Sequence, residues 1–118
     1  MAELVALLSS GEGTWAQVAG IIKQGEWDKV ILLGDDFAKK FQVDPKIPHE
    51  FIELKTRRLS DLRQEILDKL RGKINGTEVA LSIASGDGKE HMALISALLS
   101  IPVGVRFTAL TRDGLVTL

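Results

Sequence analysis

The stretch SIASGDGKEHMALISALL, from Ser82 to Leu99, runs from an apolar strand-like segment through a glycine-bearing turn into an apolar helix. The turn contains two glycines and Lys89, and Asp87 with Glu90 three residues later predicts a helix N-cap closed by a capping box. Because a helix N-terminus offers unpaired N–H groups and a partial positive charge, such a turn suits a phosphate group. Short strand-to-helix connections also carry Gly, Ser and Asp simply to turn the chain and to cap the helix.

The same alternation of strand and helix patterns extends along the rest of the chain. Continuous apolar runs such as LVALL, at positions 4–8, are typical of parallel strands covered on both faces. We predict strands over 4–8, 29–36, 49–56 and 77–85, helices over 14–27, 60–74 and 88–100, a short helix with a loop over 37–48, and a β-hairpin over 104–118.

These elements predict an α/β fold of the Rossmann-like type, formed by a single domain over residues 1–118. We expect a mostly parallel sheet with strand order 3-2-1-4-5, flanked by helices and followed by the C-terminal β-hairpin. In this order the first and fourth strands are neighbours where the winding reverses, and ligands bind beyond their carboxyl ends. Glycine-bearing turns follow both strands: SSGEGT after the first and SGDGKE after the fourth.

The two turns supply the candidate site residues. Glycine lets a ligand approach the backbone closely, hydroxyls can hydrogen-bond phosphate or ribose, and a lysine adds a point charge. Thr14 with Gln17 also predicts a capping box for the first helix. The candidate ligand-binding residues are Ser9, Ser10, Gly11, Gly13 and Thr14 in the first turn and Ser85, Gly86, Asp87, Gly88, Lys89 and His91 in and after the second. Two such turns at one edge favour a binding site over capping alone.

Composition limits the other possibilities. The chain has 118 residues, 45% hydrophobic and 26% charged, with a formal net charge of −1, so duplex nucleic acid and anionic membranes are not expected partners. The absence of cysteine excludes disulfides and thiolate-bound zinc and is compatible with a cytoplasmic location. No metal-ligand spacing or nucleophile elbow is present, and Lys89 lacks the flanking residues of a P-loop. We therefore expect neither a metal nor a cofactor.

A few isolated residues have open assignments. His91 can act as a base or donor in the crevice or pack as a structural histidine, whereas His49 is expected on the surface. Trp15 is expected in the core more than as a base-stacking platform. Arg57 and Arg58 follow the third strand and can reach a phosphate across the rim, although a solvated run is the simpler interpretation.

The order of strand, SSGEGT, helix, and later strand, SGDGKEHMAL, helix and hairpin resembles the CRISPR-associated Rossmann-fold (CARF) domains. Their two ligand motifs follow the first and fourth strands, and the second often contains Gly-Gly-Thr-Lys before an apolar helix. Here Ser85, Gly86, Asp87, Gly88 and Lys89 occupy that place. The Asp-Gly pair departs from Gly-Thr and removes the hydroxyl that the family motif offers.

The resemblance implies a homodimer that binds a cyclic oligoadenylate, first of all cyclic tetra-adenylate, across its two-fold axis in CRISPR antiviral signalling. CARF proteins usually carry a second, responding domain, so a chain of this length is expected to be a stand-alone sensor, a partner-dependent sensor or a ring nuclease. Ring nucleases cleave the messenger without a metal, by attack of a ribose 2′-hydroxyl on the neighbouring phosphate. On this chain the resemblance implies that Ser9 or Ser10 orients the ribose and that Lys89 stabilises the charge of the transition state.

Two alternatives remain open from the sequence. Residues 11–16, GEGTWA, match the G-x-G-x-x-A fingerprint of NAD(P)-binding Rossmann domains, and Asp35 and Asp36 lie near the offset of the ribose-binding acid. That interpretation leaves the second glycine turn unexplained. A non-enzymatic interaction module is the other alternative, because the C-terminal hairpin offers an apolar edge for pairing with another chain.

Overall fold

The first strand is buried on both of its faces. Leu4 and Ala6 belong to one hydrophobic cluster and Val5 and Leu7 to another, and all four side chains are fully buried. Successive side chains of a strand point to opposite faces, so an unbroken apolar run fits a strand inside a sheet that is covered twice. This computed structural model describes residues 2–118.

The sheet has six strands in the order β3-β2-β1-β4-β5-β6. The elements are β1 (Ala2–Leu7), α1 (Trp15–Gln24), β2 (Trp27–Gly34), β3 (His49–Glu53), α2 (Leu59–Leu70), β4 (Glu78–Ser82), α3 (Gly88–Leu99), β5 (Gly104–Thr111) and β6 (Gly114–Thr117), with 3-10 turns at Glu12–Thr14 and Phe37–Lys40. Strands β1 to β5 pair in parallel, and β6 is antiparallel to β5 as the second arm of a hairpin. The predicted order 3-2-1-4-5 with a C-terminal hairpin is confirmed.

Helices cover the two faces unequally. Helix α1 packs through Val18 and Ile21 on the face of Leu4, while α2 and α3 pack together on the face of Val5 through residues such as Ile66 and Leu94. The winding therefore reverses between β1 and β4, whose carboxyl ends lie side by side. This is the place in such a sheet where ligands bind.

All four predicted strands end earlier than the sequence pattern suggests, and β3 and β4 end earlier by the most, three residues each. Strand β3 stops at Glu53 and not at position 56, because the backbone N–H groups of Lys55 and Thr56 bond to the carboxylate of Glu65 instead of a neighbouring strand. Strand β4 stops at Ser82 and not at position 85, because the chain turns there to bring Ser85 to the loop after β1.

Within residues 2–118, no helix combines the length and the apolar character needed to cross a membrane.

Candidate functional site

Ser85 joins the loops that follow β1 and β4. Its hydroxyl oxygen accepts hydrogen bonds from the backbone N–H of Ser9 at 2.7 Å and from the hydroxyl of Thr14 at 2.7 Å. We call residues 9–14 the first loop and residues 85–89 the second loop. Because Ser85 is only 1% exposed, these bonds form inside the protein and hold the two loops together. The convergence predicted from the strand order is thus present in the structure.

Thr14 does not act as the sequence predicts. It occupies the N-cap position of α1, but its side chain makes no capping hydrogen bond, so the predicted capping box with Gln17 is wrong. The hydroxyl of Thr14 bonds to Ser85 instead, 71 positions away in the sequence. Sequence patterns detect local caps and not partners at this separation.

His91 supports the second loop from within α3. Its Nε2 lies 2.9 Å from the carbonyl oxygen of Ser85, and since that oxygen can only accept, Nε2 carries the proton and donates. The imidazole also lies against Gly86, where a Cβ would come within 3.1 Å of Nε2. His91 therefore acts as a packed donor that fixes the loop, one of the two roles left open by the sequence.

Helix α3 begins with the predicted capping box. The Oδ1 of Asp87 accepts from the N–H of Glu90 at 2.8 Å, and the Oε1 of Glu90 accepts from the N–H of Asp87 at 2.9 Å. Both carboxylates are thus engaged with the backbone. The N–H groups of Gly88 and Lys89, the first two residues of the helix, have no backbone or side-chain partner within residues 2–118.

The first loop likewise presents free backbone. The N–H groups of Ser10 and Gly11 have no partner in the described chain, and both residues are exposed. A Cβ built on Gly11, Gly13 or Gly88 would meet no atom within 4 Å, and none of the three has a positive φ. These glycines are therefore not required by the turns or by packing, and they leave room for an incoming group close to the backbone.

A cleft of about 100 Å³ opens at this edge of the sheet, between the two loops and the segment that follows β3. It is lined by Ser10, Asp35, Leu54, Lys55, Thr56, Arg57, Leu62, Asp87, Lys89 and Glu90. Ser10 of the first loop and Lys89 of the second loop thus line the same cleft.

The charged groups of the cleft differ in what they bind. Each of its three carboxylates accepts a hydrogen bond from a backbone N–H. The donor is Ala38 for Asp35, Glu90 for Asp87, and Asp87 for Glu90. Within residues 2–118 the cationic groups of Lys55, Arg57 and Lys89 form no salt bridge and no hydrogen bond. The cleft therefore carries three carboxylates and three cations, and only the cationic groups lack a hydrogen-bond partner in the described chain.

We call residues 55–58 the third loop, and Glu65 on α2 holds its first half. The carboxylate of Glu65 accepts the N–H of Lys55, the N–H and hydroxyl of Thr56, and Nζ of Lys69, at 2.7–3.0 Å. Burial alone would raise the pKa of Glu65, but these donors outweigh it and lower the pKa to about 2. The carboxylate is therefore ionised at neutral pH and is a fixed anchor for the loop.

The sequence prediction placed the candidate site on the first two loops, and for Arg57 of the third loop it left a phosphate contact and a solvated run as alternatives. Ser10, Gly11, Gly13, Asp87, Gly88 and Lys89 are exposed at the predicted edge, Ser9, Thr14, Gly86 and His91 are half-buried, and Ser85 is buried between the loops. Arg57, for which solvation was the simpler interpretation, lines the cleft. The available signal was its position just after a strand that ends at the same edge.

Trp15 and His49 do not line the cleft. Trp15 is buried against Phe37 and Phe41, and its Nε1 donates to the carbonyl of Ser9, so it is a core residue as expected. His49 is exposed as predicted, at the start of β3. Among residues 2–118, no group of three or more His, Asp or Glu side chains is arranged to hold a metal ion.

Comparisons with solved structures show the same fold in larger proteins. The chain superposes on protein VC1899 from Vibrio cholerae with a TM-score of 0.67, and on Can2 from Sulfobacillus thermosulfidooxidans, solved in complex with cyclic tetra-adenylate, with a TM-score of 0.59. In each case the sequence identity is 15%, and the match covers 99% of this chain and 33% of the other. The chain thus spans about a third of the length of these proteins.

At this level of identity the likeness is one of fold. No family model matches the sequence, and no curated protein resembles it in sequence.

Proposed function

We propose that this chain binds a cyclic oligoadenylate, with cyclic tetra-adenylate as the first candidate, at the edge formed by the first and second loops. The observation that carries the proposal is that two fixed loops bring free N–H groups, unobstructed glycines and Lys89 to one edge of the sheet, beside a cleft lined by Ser10 and Lys89. Phosphodiesters need such donors, and Lys89 forms no salt bridge within residues 2–118. The fold shared with the cyclic tetra-adenylate complex of Can2 supports the same ligand class.

A homodimer belongs to this proposal because of the size and symmetry of the ligand. A cleft of about 100 Å³ is far smaller than a ring of four nucleotides. Two copies related by a two-fold axis would present the same amides and Lys89 twice to a ligand that itself repeats. Binding of one ring per two chains is the expected stoichiometry.

Cleavage of the ring is a further part of the proposal. A ribose 2′-oxygen attacks the adjacent phosphorus while the bond from phosphorus to the 5′-oxygen breaks, and the 2′-hydroxyl proton passes through solvent to the leaving oxygen. We assign Ser10 to orienting the ribose and Lys89 to stabilising the charge that develops on the phosphate and the leaving oxygen. Both residues line the cleft.

A thermal-shift panel of cyclic tri-, tetra- and hexa-adenylate, NAD and ATP tests the binding proposal. At a free ligand concentration about 100 times Kd, the cognate ring should stabilise the fold by about 2.7 kcal/mol.

Lys89→Ala should weaken binding by roughly 1.5–3 kcal/mol, because a charged hydrogen bond is lost. Lys46→Ala is the matched control, since Lys46 is exposed in the segment before β3, at the opposite end of the sheet. If only NAD raises the melting temperature, the dinucleotide-binding alternative is favoured. If none of the nucleotides raises it, the non-enzymatic interaction module is favoured.

Cleavage is tested separately by incubating the protein with cyclic tetra-adenylate in EDTA and following linear products. The proposal expects product with the natural chain and a loss of rate with Ser10→Ala and Lys89→Ala. Intact ligand after hours at saturating protein would show a binding protein without ring-nuclease activity.

A further inference from the structure

The third loop follows β3, and two of its three cations line the cleft. Lys55 and Arg57 line the cleft from this side and Lys89 lines it from the second loop. Neither Lys55 nor Arg57 has an ion-pair or hydrogen-bond partner for its charged group within residues 2–118. A ligand that reached only the first two loops would leave these cations unused.

We propose that the third loop is a wall of the ligand site, in which Arg57 binds a phosphate of the ligand and Glu65 is the residue that positions the loop. The proposal rests on the proposed function, since it takes a phosphodiester ligand as the group that enters the cleft. A planar guanidinium can donate two parallel hydrogen bonds to one phosphate, which an ammonium group cannot do. Arg57 would thereby fix the orientation of the ligand as well as its charge.

Glu65 is suited to the positioning role by its contacts. It accepts two successive backbone N–H groups and the hydroxyl of Thr56, so the backbone immediately before Arg57 is fixed to α2. Lys69 donates to Oε2 of Glu65 and also to the carbonyl of Glu53, the last residue of β3. The loop is therefore held to both the helix and the end of the strand, and Arg57 is the residue that this anchor presents.

The neighbouring arginine provides a matched comparison. Arg58 is exposed in the same loop and carries the same charge, but it does not line the cleft, and it occupies the N-cap position of α2. A contribution from net charge alone would be the same for both residues. A contribution from a phosphate contact would belong to Arg57.

The experiment is a calorimetric titration of cyclic tetra-adenylate into the natural chain and its variants. Arg57→Ala should weaken binding about tenfold or more, Arg57→Lys should recover only part of the loss, and Arg58→Ala should remain within about twofold. If Arg57→Ala and Arg58→Ala bind the ring with equal affinity while Lys89→Ala binds it more weakly, the third loop is not part of the ligand site, although the proposed function stands. No binding by the natural chain would remove the proposed function and this inference with it.

The positioning role is tested by combining Glu65→Gln with Arg57→Ala. The Gln amide keeps one acceptor oxygen and turns an NH2 donor toward either Lys69 or the loop amides, so Glu65→Gln should weaken binding in the natural background. In the Arg57→Ala background the same change should not lower the affinity any further, because Glu65 affects binding only through Arg57. Equal losses in both backgrounds would show a merely structural role. If Glu65→Gln fails to fold by circular dichroism, Lys69→Met takes its place in the same cycle, with the same two outcomes.

Discussion

Gly86 and Gly88 lie two residues apart, but only at Gly86 do the backbone conformation and the packing require glycine. Gly86 has a φ of 102° and packs against His91, whereas Gly88 has no positive φ and faces open space at the first position of α3. Gly86→Ala should therefore lower the free energy of unfolding by about 1–3 kcal/mol. Gly88→Ala should leave it unchanged or raise it by up to about 1 kcal/mol. Urea denaturation measures both.

The same pair separates folding from binding. If ligands approach the backbone at Gly88, Gly88→Ala should weaken binding of cyclic tetra-adenylate although the protein is at least as stable. Unchanged affinity in a stable Gly88→Ala variant would show that no ligand comes close to that backbone.

Ser85 is the single side chain on which the connection between the loops depends. Ser85→Ala leaves the N–H of Ser9 and the hydroxyl of Thr14 without their acceptor in a largely buried place. The expected loss of stability is about 1–3 kcal/mol. Ser60→Ala is the control, because Ser60 is exposed on α2, and it should change stability by no more than about 0.5 kcal/mol. Equal stabilities of the two variants would contradict the bridging role.

The first turn of α3 combines a cap with a negative charge at the cleft. Asp87→Asn keeps an oxygen that can accept from the N–H of Glu90, so stability should change by less than about 0.5 kcal/mol. The charge that would repel an anion is removed, so binding of cyclic tetra-adenylate should tighten, by about 1 kcal/mol at most. Titration calorimetry decides: weaker binding would mean that Asp87 itself contacts the ligand.

The anchor between α2 and the third loop makes stability depend on acid. The pKa of Glu65 is lowered to about 2 in the folded protein, against about 4.3 for an unfolded glutamate. Its contribution is therefore complete above about pH 4.3 and is lost as the pH falls toward 2. The stability difference between the natural chain and Glu65→Gln should be on the order of 2 kcal/mol at pH 6 and should shrink as the pH falls through this range. A difference that is constant with pH would contradict the anchor.

The sequence was sufficient for features with local or periodic causes. Burial on both faces of β1 appears as an unbroken apolar run, and the cap of Asp87 by Glu90 spans only three residues, so both were predictable. The partner of Thr14 is 71 residues away and the anchor of the third loop is nine residues from Thr56, without any regular spacing. Those contacts depend on how the elements pack, so the sequence could not correct the error at Thr14, and for Arg57 it left a phosphate contact and a solvated run as alternatives.

The fold brings together residues that are far apart in the sequence. Ser9 and Ser85 are 76 positions apart, yet their hydrogen bond places both loops at the edge where β1 and β4 end. At this edge the cationic side chains have no hydrogen-bond partner within residues 2–118, whereas the carboxylates are held by backbone N–H groups and keep their negative charge. The donors available to an anion at this edge are therefore local, and their placement depends on the order of the strands.

The most direct test follows the backbone amides of the natural chain by two-dimensional NMR while cyclic tetra-adenylate is added. The account predicts that the largest shifts fall together in residues 9–14 and 85–89, with smaller shifts in residues 55–58, at one saturating ratio of one ring to two chains. Shifts confined to one loop, shifts at the opposite end of the sheet around Lys46, or an unchanged spectrum would contradict a single site built from both loops.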